Sequence, residues 1–196
     1  MRGVARLHEL SVRGLLGEAA SESPTPGGGA LAALTGALAA GLVEMAARNS
    51  PDWELRGAAI AQAKVLRERL AELAPLNDEV YEHALAALKL PDAVDNASKN
   101  ELIGSSLERA AAFPLAIAEA AANVAELAAV VAEDGSSTAR GDATAAAMLA
   151  LGATRAAAHL VEINLGVLEN DERLHRATRL AADAAAASAR TLAPVQ

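Results

Sequence analysis

The chain has 196 residues, no cysteine, a net charge of −8 and only 2% aromatic residues. Its length suits one domain, which we assign to residues 1–196, and the lack of cysteine excludes disulfides and thiolate metal sites. An acidic chain with few aromatic side chains lacks the basic face and the stacking platform that nucleic-acid binding needs. The hydrophobic fraction of 53% is mostly alanine, a strong helix former that buries little area.

The N-terminal residues lack the apolar segment that a signal peptide has. The longest apolar run spans residues 30–43, is interrupted by Thr35, Gly36 and Gly41, and ends at Glu44. A run of this length is too short to cross a bilayer, so we expect a cytoplasmic protein with no membrane partner.

Helical periodicity extends along the chain and predicts an all-α fold, a bundle of about six to seven helices. The predicted helices span residues 5–20, 29–48, 53–74, 77–88, 99–133, 142–169 and 171–192. Pro75 separates the third from the fourth, and Pro114 should kink or break the fifth, because proline lacks the N–H donor that a helix interior needs. Residues 92–98 and 134–141 are predicted loops.

The second predicted helix is apolar on two opposite faces. One face is a ridge of large side chains, and the other combines small residues with one carboxylate. The ridge contains Leu31, Leu34, Leu38, Leu42 and Met45, and the small face contains Gly29, Ala33, Gly36, Ala40, Glu44 and Ala47. Burial on both sides is expected. Because small residues let helices approach closely, two interpretations stay open: tight packing inside the bundle, or a subunit interface.

Residues 21–29 read Ser-Glu-Ser-Pro-Thr-Pro-Gly-Gly-Gly and lead directly into this helix. The two prolines fix φ and remove N–H donors, whereas the three glycines free φ and expose backbone amides. This combination favours a site where the backbone approaches another group closely. Two interpretations stay open: a cap or packing device, and a helix N-terminus that binds an anion.

Several polar residues are candidates for chemistry, each with a structural alternative. Glu44 is either paired with Arg48 one turn later or is a carboxylate in a cleft. Asp142 follows a small polar loop and is either a helix N-cap or a pocket carboxylate. Asn164 stands in an apolar stretch, where a buried amide bonds the backbone or lines a pocket. The histidines show no paired spacing, so we expect no metal site.

The chain resembles the cyclodeaminase/cyclohydrolase family, which includes formiminotetrahydrofolate cyclodeaminases and methenyltetrahydrofolate cyclohydrolases. The most specific part of the match is the string Pro24-Thr25-Pro26-Gly27-Gly28-Gly29, and the match continues in collinear order along nearly the whole chain. Further matched segments are Leu42-Val43-Glu44-Met45, Tyr81, Pro114-Leu115, Gly135, Asp142-Ala143 and Asn164-Leu165.

The resemblance implies an all-helical homodimer that acts on the one-carbon unit between N5 and N10 of a tetrahydrofolate derivative. It implies no metal or redox cofactor, and a reduced folate as the small-molecule partner. The implied catalytic carboxylates are Asp142 and Glu44. The implied substrate-binding residues are Pro26, Gly27, Gly28, Gly29, Asn77, Tyr81, Ser136 and Asn164. Cyclohydrolase and cyclodeaminase activity both remain open.

Asn77 stands where the family has an aspartate, and Ser136 stands where it has an asparagine. An amide is not a general base at neutral pH, so a second hypothesis stays open: a catalytically degenerate member that acts as a ligand-binding or scaffold dimer. Asp78 is the adjacent carboxylate, but successive residues of a helix point about 100° apart, so we expect it to face elsewhere.

Overall fold

The computed structural model describes residues 7–88, 96–165 and 171–192, which form one 3-10 turn and six α-helices. The turn spans Leu7–Glu9. The helices are α1 (Val12–Ala19), α2 (Gly28–Arg48), α3 (Arg56–Leu88), α4 (Asn96–Asp134), α5 (Arg140–Leu165) and α6 (Glu172–Thr191). The all-α prediction is therefore confirmed, and the described part of the chain contains no strand.

Most of the predicted boundaries are close to the observed ones. Helix α2 begins one residue before its predicted start, and α6 follows Asp171, whose side chain caps it by accepting the Arg173 N–H. The start of the first predicted helix, the end of the sixth and loop residues 92–95 lie outside the described residues. Residues 96–98 are helical, which corrects the predicted loop there.

Neither proline ends a helix. Pro75 lies inside α3, so the separation of the third and fourth predicted helices is wrong, and Pro114 lies inside α4, which does not break there. A proline in a helix interior costs about 3 kcal/mol. The apolar face of α4 is buried on both sides of Pro114, through Ala111, Leu115 and Ala118, and this burial outweighs the local cost. The buried face of α3 is apolar up to Ala74 and continues past Pro75 with the polar side chains of Asn77 and Asp78.

Helix α2 lies at the centre of the bundle, where it packs against α3, α4 and α5. Helix α6 packs on α4 and α5. The small face of α2 is buried, and a Cβ on Gly36 would lie 3.1 Å from Leu70 Cδ1, so glycine sets the approach of α2 to α3. The ridge of large side chains was expected to be buried as well, but Leu38 at the middle of α2 is 70% exposed and Met45 is also exposed. One chain therefore buries the small face and leaves the ridge only partly buried, since Leu31, Leu34 and Leu42 are half-buried.

Three helical segments are long and apolar enough to cross a membrane, judged by length and composition alone: α2, residues 104–134 and α5. This finding corrects the inference from the interrupted apolar run, because the small residues in α2 leave its mean hydropathy high. Between 44% and 67% of the apolar window of each segment is buried inside the bundle.

Candidate functional site

The glycine turn, defined here as residues 24–29, ends at the first turn of α2. Its Thr25–Pro26 peptide bond is cis, and Gly27 is the N-cap residue of α2, with no side chain to cap the helix. Gly27 has a φ of −87°, and no glycine in the described residues has a positive φ. The turn therefore needs glycine for space and not for a left-handed backbone, which corrects the argument made from composition.

Position 29 must be glycine because the side chain of Asn77 occupies the space that a Cβ would need. A Cβ built on Gly29 would lie 2.7 Å from both Cγ and Oδ1 of Asn77, closer than any real contact. Both residues are buried. Close backbone approach is thus present at the glycine turn, and at Gly29 the approaching group is a side chain of α3.

Gly28, unlike Gly29, has room for a side chain. A Cβ there would meet only Leu160 Cδ1, at 4.0 Å, and the residue is exposed. Of the three glycines, Gly28 is therefore the position where a bound molecule can reach the backbone of the first helical turn, whose N–H groups have no side-chain cap.

Asp78 binds the turn from the same helix as Asn77. The Gly27 N–H donates to Asp78 Oδ1 at 3.2 Å, and the Asp78 side chain is only 3% exposed. The pKa of Asp78 is raised to about 6, chiefly by burial and in part by the nearby Glu82 charge, although the hydrogen bond from Gly27 and the neighbouring Asn77 amide oppose the shift. Asp78 does not line the cavity beside the turn, as its separation of about 100° from Asn77 predicts, but it contacts the turn through Gly27.

A cavity of about 300 Å³ opens beside the glycine turn. Its lining brings together residues from the turn, α3, α4 and α5. They are Pro24, Gly27, Gly28, Gly29, Asn77, Tyr81, Ala110, Pro114, Leu160, Ile163 and Asn164. Six of the predicted substrate-binding residues meet here: the three glycines, Asn77, Tyr81 and Asn164. Pro24 lines the wall, whereas Pro26 lies half-buried in the turn and outside the lining.

Ser136 lies at the other end of the bundle, beyond the C-terminal end of α2. Its backbone N–H donates to the Ser50 hydroxyl at 2.8 Å, and its own hydroxyl lies 2.8 Å from that of Thr138. Residues 134–138 and 49–54 line a second, polar cavity of about 650 Å³. The loop forms a pocket wall as predicted, but the pocket is not the one at the glycine turn.

Asp142 belongs to the same end as Ser136. It lies in the first turn of α5, which begins at Arg140, so the predicted N-cap role is wrong. Its side chain is exposed. Because a helix rises about 1.5 Å per residue, about 33 Å of α5 separates Asp142 from Asn164.

Glu44 lies on α2 about 24 Å from Gly28, at about 1.5 Å per residue. Its carboxylate forms two ion pairs, from Oε1 to Arg48 Nη2 at 2.6 Å and from Oε2 to Arg67 Nε at 3.3 Å. The hydrogen bond from Arg48 lowers the pKa of Glu44 most strongly, and burial opposes that shift. The pairing with Arg48 predicted from the sequence is confirmed, and the group is ionised at neutral pH.

Sequence reasoning did not predict the contact of Asp78 with Gly27, and it missed the apolar lining from α4 and α5. The available signal was the spacing of the buried face of α3, which runs through Leu66, Leu70 and Ala74 to Asn77 and Asp78. That spacing is visible only if the helix is continuous, and Pro75 obscured it. No local sequence pattern distinguishes the apolar lining residues from ordinary core residues.

The fold and the glycine-turn cavity define an α-helical protein with a cavity of about 300 Å³ beside the N-terminus of its central helix. The family model described as formiminotransferase-cyclodeaminase matches residues 11–184. The chain is 31% identical over 185 residues to the methenyltetrahydrofolate cyclohydrolase of Methylorubrum extorquens, a match that covers 87% of this chain and 88% of the relative. The crystal structure of formiminotetrahydrofolate cyclodeaminase from Thermotoga maritima has a TM-score of 0.83 and 22% identity, covering 94% and 95% of the two chains.

The chain therefore belongs to the formiminotransferase-cyclodeaminase family of folate one-carbon enzymes. The family resemblance inferred from the glycine string is confirmed.

Proposed function

We propose that this protein is a methenyltetrahydrofolate cyclohydrolase whose substrate binds at the glycine turn. The observation that carries the proposal is the cavity that joins the three glycines, Asn77, Tyr81 and Asn164 in one wall. The choice of cyclohydrolase rests on the relative of that name at 31% identity, since the cyclodeaminase structure, at 22% identity, supports only the fold.

The reaction adds water to the cationic carbon between N5 and N10. One carbon–nitrogen bond of the ring breaks, a formyl group remains on the other nitrogen, and one proton goes to solvent. The site must therefore orient the pterin, admit one water and stabilise positive charge in the transition state. Asn77 and Asn164 each offer an amide donor and an acceptor for a polar ring edge, and Leu160 and Ile163 offer apolar surface.

The cavity is small for a whole reduced folate. Its volume of about 300 Å³ lies at the lower limit of the roughly 300–1,000 Å³ typical of small-molecule sites. A pterin fits such a volume, and the rest of the ligand extends beyond it. None of the residues that line the cavity is a carboxylate, so one chain by itself offers the bound one-carbon unit no ionised oxygen there.

A homodimer formed across α2 supplies both the additional space for the ligand and the carboxylate that the cavity of one chain lacks. Leu38, the most exposed residue of the ridge, is ten residues from each end of α2. A two-fold contact centred on Leu38, with the helices nearly antiparallel at a crossing angle of about 20°, places the Gly28 end of one protomer beside the Arg48 end of its partner. Ser136, Asp142 and Glu44 all lie at that second end, so a partner protomer can present them to the glycine turn.

A second candidate is a folate-binding protein without catalysis. It is favoured by Asn77, an amide that occupies the cavity wall where the family resemblance implies an aspartate. Both candidates predict binding of a reduced folate, and only the cyclohydrolase predicts turnover.

The test is the loss of the absorbance of methenyltetrahydrofolate with and without the protein. Acceleration proportional to protein concentration supports the cyclohydrolase. Thermal stabilisation by a reduced folate without acceleration supports the binding protein. If neither occurs, both candidates are wrong.

A further inference from the structure

Asp78 is a buried carboxylate that the reaction as described does not use. It lies on α3 directly after Asn77, is 3% exposed, and is absent from the cavity lining. No cation forms a salt bridge with it among the residues that the structure describes, in contrast to Glu44 with its two arginines. An unpaired carboxylate in such a position is costly to bury.

Asp78 connects two parts of the cavity wall. Its Oδ1 accepts the Gly27 N–H at 3.2 Å, and its neighbour on α3 is Asn77. Gly27 forms the wall from the turn and Asn77 forms it from α3. One carboxylate therefore holds the turn against the part of α3 that carries Asn77.

A second, exposed hydrogen bond supports the same segment. Thr25 Oγ1 donates to Glu82 Oε1 at 2.9 Å, one helical turn beyond Asp78. The turn is thus attached to α3 at two successive levels, and only the attachment through Asp78 is buried and adjacent to the cavity. A buried hydrogen bond is stronger than an exposed one because the local dielectric is lower.

We propose that Asp78 is a positioning residue of the folate site: it holds Gly27 against α3, beside Asn77, in the geometry that the pterin requires, without touching the ligand. The proposal rests on the proposed function for the identity of the ligand. It explains why a carboxylate is kept next to Asn77 although it does not reach the cavity surface. Asp78 affects substrate affinity indirectly, by positioning the cavity wall. The oxygen that accepts the Gly27 N–H contributes more to that affinity than the negative charge does.

Three variants separate the possible roles of Asp78. Asp78→Asn keeps an oxygen acceptor for the Gly27 N–H, and Asp78→Ala removes it. Glu79→Ala is the matched control, because it removes an exposed carboxylate from the next position of the same helix. Circular dichroism and thermal melts establish that each variant folds before any comparison is made.

The first readout is hydrogen exchange of the glycine-turn amides in the protein without ligand. We expect faster exchange in Asp78→Ala only, because only that variant loses the acceptor of the Gly27 N–H. The second readout is calorimetric titration with 5-formyltetrahydrofolate. Loss of the hydrogen bond that positions the turn should weaken its binding roughly tenfold in Asp78→Ala, with Asp78→Asn within about threefold of the parent protein.

Equal folate affinity in the parent protein and a folded Asp78→Ala would overturn the positioning role and leave the proposed function intact. An equal loss in Asp78→Asn and Asp78→Ala would also overturn it, since the charge would then be the essential property. If the parent protein does not bind the folate, the proposed function fails and this proposal fails with it, and the titration of the parent alone identifies that case.

Discussion

The side-chain amide of Asn77 occupies the space that a Cβ on Gly29 would need, with its Cγ 2.7 Å from that point. This contact explains the third glycine of the turn without reference to a ligand. It also separates two roles within one glycine string, because Gly28, one residue earlier, has open space above it.

Alanine substitutions at these two glycines should therefore have opposite effects on stability. Gly29→Ala forces Asn77 or α2 to move, and overpacking of this kind costs about 1–3 kcal/mol. Gly28→Ala meets only Leu160 at 4.0 Å, and removing a glycine from an exposed helix position stabilises by about 0.4–1 kcal/mol. Urea unfolding of the two variants measures both changes. A similar loss of stability in both would contradict the assigned packing.

Gly28→Ala also tests where the ligand lies. The added methyl group projects into the cavity, so we expect weaker binding of a reduced folate by a variant that is at least as stable as the parent. Titration with 5-formyltetrahydrofolate provides the measurement. Unchanged affinity in Gly28→Ala would show that the ligand does not approach this backbone.

The raised pKa of Asp78 predicts how stability depends on pH. The folded-state pKa of about 6 lies above the usual value of 3.8, so the protonated group favours the folded state. This stabilisation is complete below pH 3.8 and is lost as the pH rises through about 6. At about 1.4 kcal/mol per pKa unit, the loss amounts to at most about 3 kcal/mol.

Asp78→Asn should remove this dependence because its amide does not ionise. We expect the variant to gain stability relative to the parent protein as the pH rises from 4 to 7.5, and denaturant titrations at several pH values measure the difference. A constant difference across that range would show that the pKa of Asp78 is not raised in the folded protein.

The exposed ridge of α2 predicts the oligomeric state. Leu38→Glu places a charge at the centre of the proposed two-fold contact and should shift a dimer towards monomer in sedimentation experiments. Leu192→Glu is the matched control, since Leu192 is 65% exposed and follows α6, which packs on α4 and α5. A parent protein that sediments as a monomer at micromolar concentration would exclude the α2 dimer.

Mixed dimers test whether the site is shared between protomers. We expect Gly28→Val, at the turn, and Asp142→Ala, at the far end, each to abolish activity. If each site combines the turn of one protomer with the far end of its partner, random exchange restores one intact site in half of the dimers, about a quarter of the parent activity. No recovery after verified exchange would place both residues in the site of a single chain or exclude Asp142 from it.

The sequence predicted the helical fold well, because helical periodicity is a local signal. Six of the eight residues proposed for substrate binding line one cavity, and of these Asn77 and Tyr81 came from the family resemblance. The continuity of α3 and α4 through Pro75 and Pro114 was not predictable from proline chemistry, since it depends on tertiary contacts. The contact of Asp78 with Gly27 was not predictable either, because it joins residues 51 positions apart.

The separation of Asp142 and Ser136 from the glycine turn was also invisible in the sequence. A collinear family match orders residues along the chain but contains no distances, and α5 is long enough to place its two ends on opposite sides of the bundle. The carboxylates predicted to be catalytic therefore remain predictions that depend on a second protomer.

The most direct test of the folate site is a crystal structure of the protein soaked with 5-formyltetrahydrofolate. We predict electron density for the pterin against Gly28, within hydrogen-bond distance of Asn77 or Asn164, with the rest of the ligand directed towards the α2 ridge. Density elsewhere on the protein, with the glycine-turn cavity empty at saturating ligand, would contradict the proposed site.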